Sequence, residues 1–244
     1  MRLSRVYVEN LPELNSLISL PKDTAHYLSN VLRLRVDDEI LVFNGEQGEF
    51  LARVNSATKR SIEVELCELR RDPIDGGTQS EPSIHLLLGL SRGDRMDFAV
   101  QKSTELGVAQ ITPIYTDHGE VRLKADRAEK KLQHWRRIAI SACEQCGRLN
   151  VPTIHSPLPL NEAPLIDAAN KWMLEPRGTD SLPSAISQRN IELLIGPEGG
   201  FSSEEIEWAR KQGFSIVSLG SRILRTETAP VAALAILQHK YGDM

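Results

Sequence analysis

Apolar and polar positions follow one grammar over the first seventy residues and another afterwards. RVYVEN (5–10), EFLARVNSA (49–57) and SIEVELCEL (61–69) alternate with a period of two, as half-buried strands do. EILVFNG (39–45) is an apolar run ending in Asn44-Gly45, a hairpin signal. Between the first two strands, PKDTAHYLSNVLRLR (21–35) predicts a short helix with Leu28, Val31 and Leu32 on one face. Several short strands and one helix in so little chain predict a small β-barrel over residues 1–72.

RRDPIDGGTQSEPS (70–83) is rich in Pro, Gly, Ser and charge, so residues 73–83 are assigned as a linker. From there to residue 244 the pattern alternates between strands and helices. IHLLLGL (84–90), ITPIY (111–115), KWMLEP (171–176), IELLIG (191–196) and FSIVSLG (214–220) read as strands. A helix after the first carries Met96, Val100 and Ser103 at helical spacing, with Gly107 suited to end it. A long helix over about 125–146 has Leu132, Trp135, Ala139, Ala142 and Cys146 as its inward stripe. A last helix runs from Thr228 to about Lys240, apolar around most of its circumference. The fold class is α/β with a largely parallel sheet.

Composition narrows the possibilities without choosing among them. With 244 residues, 41% hydrophobic and 25% charged, the chain can bury a real core. No apolar run approaches a membrane span, and MRLSRVYVEN lacks the apolar stretch of a secretory signal. Cys67, Cys143 and Cys146 make no disulfide framework, which suits a cytoplasmic location. Cys143-Glu144-Gln145-Cys146 lacks the second pair that zinc would need, and Cys146 is assigned to the core. The six histidines show no ligand spacing, so no metal is expected. The net charge of −4 hides a local excess. Between Arg122 and Arg148 there are eight basic residues against three acidic ones, either a solvated helix face or a phosphate-binding stretch.

Chemistry gathers at the ends of three strands. Glu175-Pro176 follows one, Gly196-Pro197-Glu198-Gly199-Gly200 the next, and Gly220 to Pro230 the third. Ligands of open α/β sheets bind outside the carboxyl ends of strands, and glycines there let backbone approach a ligand. No glycine is followed by lysine as a P-loop requires, and Ser91-Arg92-Gly93 does not fit a dinucleotide fingerprint. Ser202 and Glu205 have the spacing of a capping box for the helix after the second loop.

LLIGPEGGFSSEEI (193–206) and LGSRILRTETAPVAAL (219–234) closely resemble the ribosomal RNA small-subunit methyltransferase E family of the SPOUT superfamily. KSTELGV (102–108), EQCGR (144–148) and HYLSNVLRLRVDDEI (26–40) extend the match over nearly the whole chain. The resemblance implies a PUA-like barrel that helps hold RNA, followed by a SPOUT domain at 84–244 with a C-terminal trefoil knot. It implies a homodimer that methylates N3 of a uridine in 16S ribosomal RNA of the small subunit. S-adenosylmethionine would bind among the knot loops, lined by Leu174, Glu175, Ile195, Gly196, Gly199, Gly200, Leu219, Leu224, Glu227, Thr228 and Ala229. On this reading Gly199 and Gly200 leave room for the ligand where a Cβ would clash. Uracil N3 carries a proton, so Arg225 is expected to stabilise charge on the carbonyl edge and Glu198 to accept or orient the proton. The competing role for Arg225 is an ion pair with Glu198 or Glu227. Arg33, Arg35, Arg92, Arg95, Arg127, Lys131, Arg148 and Arg222 are the expected RNA contacts. A different class of function, an RNA-binding module with a vestigial pocket, would keep the barrel but fail to bind the cofactor.

Overall fold

The computed structural model describes residues 3–58, 61–73, 82–167, 170–186 and 188–244. The chain divides into two compact units, Met1–Thr78 with Cys143–Val151, and Gln79–Ala142 with Pro152–Met244. Most of the predicted linker at 73–83 lies outside the described residues.

In the first unit, strands β1 (Arg5–Tyr7), β2 (Leu17–Ser19), β3 (Glu39–Asn44), β4 (Gly48–Ala57) and β5 (Ile62–Arg71) form one sheet in the order β1-β3-β4-β5-β2. The β3–β4 hairpin turns at Asn44, which pairs with Gly48. Alternation puts Val42, Ala52, Val54, Ile62, Val64 and Leu66 into a common core. Strand β2 is too short for periodicity to signal. Helix α1 (Lys22–Asn30) buries Leu28 as expected. Val31 and Leu32, predicted on the same face, are instead 62% and 40% exposed. The helix stops at Asn30 and Arg33 has φ 55°, so the backbone leaves helical geometry before those side chains can turn inward, and Leu34 packs on the core in their place.

Arg5 is the polar centre of this unit. Its Nε donates to Glu49 Oε2 at 2.6 Å, with both side chains nearly buried. The guanidinium lies 4.1 Å over the Phe43 ring and also donates to the carbonyls of Cys143, Glu144 and Arg148. Those carbonyls belong to the end of the long helix and the turn after it, where helix geometry leaves acceptors unpaired. A buried arginine that loses its carboxylate is left uncompensated. Glu49→Ala is therefore expected to cost about 3–5 kcal/mol of stability, read as a fall in the denaturant midpoint.

Cys143, rather than the predicted Cys146, is the core cysteine. It is fully buried with Phe43 and Leu149, whereas Cys146 is half-exposed. Burial pushes the Cys143 thiol up to about 12. Because only the thiolate reacts, an alkylating reagent at pH of about 8 is expected to modify Cys67 and Cys146 well before Cys143. Peptide mass spectrometry of native protein checks this, and equal labelling of all three would contradict it.

The second unit is the predicted parallel sheet. Strands β6 (Ser83–Gly89), β7 (Gln110–Tyr115), β8 (Thr153–Ile154), β9 (Leu158–Pro159), β10 (Asn170–Leu174), β11 (Asn190–Ile195) and β12 (Ser215–Val217) run β12-β10-β11-β6-β7-β8, with β9 also on β7. Every pairing is parallel. The two-residue strands β8 and β9 carry no periodic signal. Helices α2 (Gly93–Glu105), α3 (Ala125–Cys146), α4 (Ser203–Lys211) and α5 (Thr228–Tyr241) complete the layers. Met96, Val100 and Ser103 are buried on α2, and Gly107 takes the left-handed conformation (φ 85°) that lets the chain leave it. Leu132, Trp135, Ala139 and Ala142 are the buried stripe of α3.

Candidate active site

Strand register assembles the site. Leu174 of β10 is level with Ile195 of β11 on one side and Val217 of β12 on the other. Three adjacent parallel strands thus end together, and the loops after them leave from one edge of the sheet. They enclose a cavity of about 440 Å³, within the roughly 300–1,000 Å³ usual for small-molecule sites. Leu174, Ile195, Val217, Leu219 and Leu224 supply apolar wall, while Glu175, Glu198, Arg95, Arg222 and Arg225 supply charge.

The middle loop is built for rigidity. The Gly200 N–H donates to the Pro197 carbonyl at 2.9 Å, closing a turn over Glu198 and Gly199. Ser202 Oγ accepts from the Glu205 N–H at 3.2 Å and Glu205 Oε2 accepts from the Ser202 N–H at 2.8 Å, completing the predicted capping box. Ser202 Oγ also donates to Asp117 Oδ2 at 2.7 Å, and Glu205 Oε1 accepts from the Asp117 N–H. The helix start is thereby fixed to the loop after β7.

One of the two expected pocket glycines serves another purpose. A Cβ on Gly199 would lie 2.5 Å from the His118 carbonyl oxygen, so Gly199 admits the neighbouring loop rather than a ligand and does not line the cavity. Gly200 lines the cavity with open space where a Cβ would stand, in keeping with the expectation, and its φ of 69° also favours glycine. Sequence reasoning missed Gly89. A Cβ there would stand 2.5 Å from Pro197 Cδ and 2.6 Å from the Gly196 carbonyl carbon. Ile195 pairs with Leu88, so the chain ends of β6 and β11 emerge side by side, and only glycine lets the middle loop cross.

Of the expected cofactor residues, Leu174, Glu175, Ile195, Gly196, Gly200, Leu219, Leu224 and Ala229 line the cavity. Gly199, Glu227 and Thr228 do not. Glu227 nevertheless holds a buried Oε2 with no hydrogen-bond partner among the described residues. Such an atom is costly to leave unpaired. Pro197 and Phe201, read only as loop and helix entry, also form wall.

The charged groups sort differently from expectation. Glu198 pairs with Arg95 at 2.7 Å, not with Arg225. That bond pushes the Arg95 guanidinium further up from its ordinary value; burial opposes the rise, and the Glu198 and Glu227 charges add to it. Arg95, expected on RNA, is thus part of the cavity wall. Arg92 pairs with Glu120 at 2.5 Å. Arg225 is exposed and forms no ion pair or side-chain hydrogen bond among the described residues. Its carbonyl accepts from the N–H groups of Thr228 and Ala229 at 2.9 Å, fixing its backbone to the first turn of α5. Arg222 is exposed at the same cavity.

The remaining basic candidates lie elsewhere. Arg33 and Arg35 are exposed after α1, Arg127 is exposed and Lys131 half-buried on α3, and half-buried Arg148 belongs to the first unit. Arg122, counted in the basic stretch, organises its own loop by donating to the carbonyls of Thr116, Gly119 and Val121.

Residues 78–238 match the RNA methyltransferase domain family, and residues 20–67 match the RNA methyltransferase PUA domain. A ribosomal RNA small subunit methyltransferase E from Buchnera aphidicola (strain Sg) is 37% identical over 249 residues, covering 100% of this chain and 98% of that one. A methyltransferase structure from Legionella pneumophila with bound SAM superposes with a TM-score of 0.90 at 34% identity, covering 100% of both chains. A ribosomal RNA small subunit methyltransferase E structure from Neisseria gonorrhoeae, bound to S-adenosyl methionine, gives 0.83 at 34% identity over 98% of each chain. With a PUA-like N-terminal unit, a parallel-sheet unit of the SPOUT methyltransferase kind and full-length relatives of one name, the chain belongs to the ribosomal RNA small subunit methyltransferase E family.

Proposed function

We propose that this protein methylates N3 of a uridine in 16S ribosomal RNA of the small subunit, with S-adenosylmethionine as donor. The observation that carries the reading is the cavity at three level strand ends, with Arg225 fixed at its rim and free of any acidic partner among the described residues. The residues fit the donor. Leu174, Ile195, Leu219 and Leu224 offer apolar surface to an adenine, the backbone of Gly200 and Gly220 offers close approach, and the Glu175 carboxylate at the wall offers an acceptor for hydroxyl or ammonium hydrogens. When bound, S-adenosylmethionine supplies a methyl group activated by a sulfonium.

The chain's own work is on the base. Uracil N3 becomes nucleophilic only when its proton leaves, and the negative charge then spreads to the flanking carbonyl oxygens. Arg225 donates hydrogen bonds to that edge, strongest when the charge has developed. The N3 proton passes to the Glu198 carboxylate, which Arg95 holds in place at 2.7 Å.

The C-terminal loops are proposed to form the trefoil knot, and residues 1–72 to hold RNA through Arg33 and Arg35. A homodimer is proposed through α5. Pro230, Ala233, Leu234, Leu237 and Tyr241 of this helix are buried, while Val231, Ala232, Ala235 and Ile236 make a second, part-exposed apolar stripe. Action on ribosomal RNA would place the protein in the cytoplasm. No helix among the described residues is long and apolar enough to cross a membrane.

Methyl transfer to small ribosomal subunits and to naked 16S RNA, followed by mapping of the modified base, tests the reading. Methyl at uridine N3 is the expected product, and methyl only on another base or on a ribose would overturn it. Calorimetric titration with S-adenosylmethionine separates the enzyme from a non-catalytic RNA-binding module, which would show no binding heat.

A further inference from the structure

The loop that carries Arg225 holds a side chain that the chemistry above leaves unused. Ile223 is 82% exposed, the highest value among the exposed large hydrophobic side chains of the described residues, yet it lines the cavity. Its position is fixed from one side. Thr226 is buried, and the Arg225 carbonyl is tied to the start of α5 by two hydrogen bonds of 2.9 Å. Arg222 and Arg225 flank it, both exposed and without an ion-pair partner among the described residues. Scattered exposed apolar residues are ordinary. An isolated one between two unpaired guanidiniums at a cavity rim matches a stacked nucleic acid, which offers phosphates outside and apolar base faces within.

Accepting the proposed activity on uridine, we propose that Ile223 is a positioning wedge. It enters the base stack beside the target uridine and holds that base extruded toward the cavity. N3 of a paired, stacked uridine is covered by its partner, so the base must leave the stack before any group can reach it. Apolar wedges such as Ile or Leu unstack a base step by occupying the gap, and neighbouring basic side chains hold the strained backbone through phosphate. Arg222 is placed for that second task, which leaves Arg225 for the uracil edge.

The test uses full-length protein and small-subunit RNA with 2-aminopurine in place of the base next to the mapped uridine. Fluorescence of the analogue reports unstacking independently of methyl transfer. Wild-type protein is expected to raise the fluorescence. Ile223→Ala is expected to bind the RNA within about twofold of wild type, abolish the rise and slow methyl transfer about 10–100-fold. Ile223→Leu is expected to keep both. With an abasic site replacing the neighbouring nucleotide, the alanine variant is expected to recover to within about threefold of wild type, since the gap is already open. A full fluorescence rise with Ile223→Ala, or no rise with wild type, would overturn the wedge. So would an equal rate loss on the abasic substrate, or a change in mass by light scattering, which would make Ile223 a packing residue. Wild-type extrusion without methyl at N3 would sink the functional reading while leaving the wedge standing.

Discussion

Arg225→Ala is expected to slow single-turnover methyl transfer about 100–1,000-fold while changing S-adenosylmethionine affinity by no more than about twofold. The split follows from where the side chain is held. Arg225 has no acidic partner to lose among the described residues, so its removal leaves no buried charge uncompensated. An interaction realised only as charge develops lowers the rate without weakening binding of the donor. Arg225→Lys is expected to restore only part of the rate, since an ammonium cannot present the planar fork of donors that spans a carbonyl edge. Cofactor affinity, melting temperature and single-turnover rate measured on one preparation decide the matter. A melting temperature that falls together with donor affinity, at near-normal rate, would show that Arg225 is structural.

Gly89→Val has the second large expected effect, and it acts on binding. Its side chain would have to occupy space held by Pro197 and Gly196, where even a Cβ stands 2.5 Å from Pro197 Cδ. Backbone cannot rotate away as a flexible side chain does, so the whole wall between β11 and α4 must shift. A displacement of about 1 Å in such a wall can cost on the order of 100-fold. S-adenosylmethionine affinity is expected to fall by about that factor, with about 1–3 kcal/mol of overpacking also lost from stability. Titration well below the melting temperature separates the two effects, and unchanged affinity would remove Gly89 from the support of the cavity.

Much of this fold is written in local patterns that depend only on a side chain's neighbours a few residues away. Alternation located β1, β4 and β5, apolar runs located β3, β6, β7, β10 and β11, and the Ser202–Glu205 spacing placed the start of α4. The three loaded loops were legible because glycine, proline and charge interrupt apolar runs, and their motifs were specific enough to carry the family. Strands β2, β8 and β9, of two or three residues, have no longer patterned stretch around them to show a period.

Tertiary structure decided everything that depends on strand order. Arg95 and Glu198 are 103 residues apart and meet beside a sheet whose order runs β12-β10-β11-β6. That same order sets Gly89 under Pro197 and leaves Gly199 facing His118, which turned one expected pocket glycine into a packing residue and revealed another. Helical periodicity predicted Cys146 as core because it assumes one partner along the whole of α3. The end of that helix joins Phe43 and Leu149 in the first unit's cluster, and the buried position moves to Cys143. A period read along the chain fixes which residues share a face. Which surface that face meets is set by contacts between distant segments, and it was those contacts that freed Arg225, engaged Glu198 and left Ile223 in solvent.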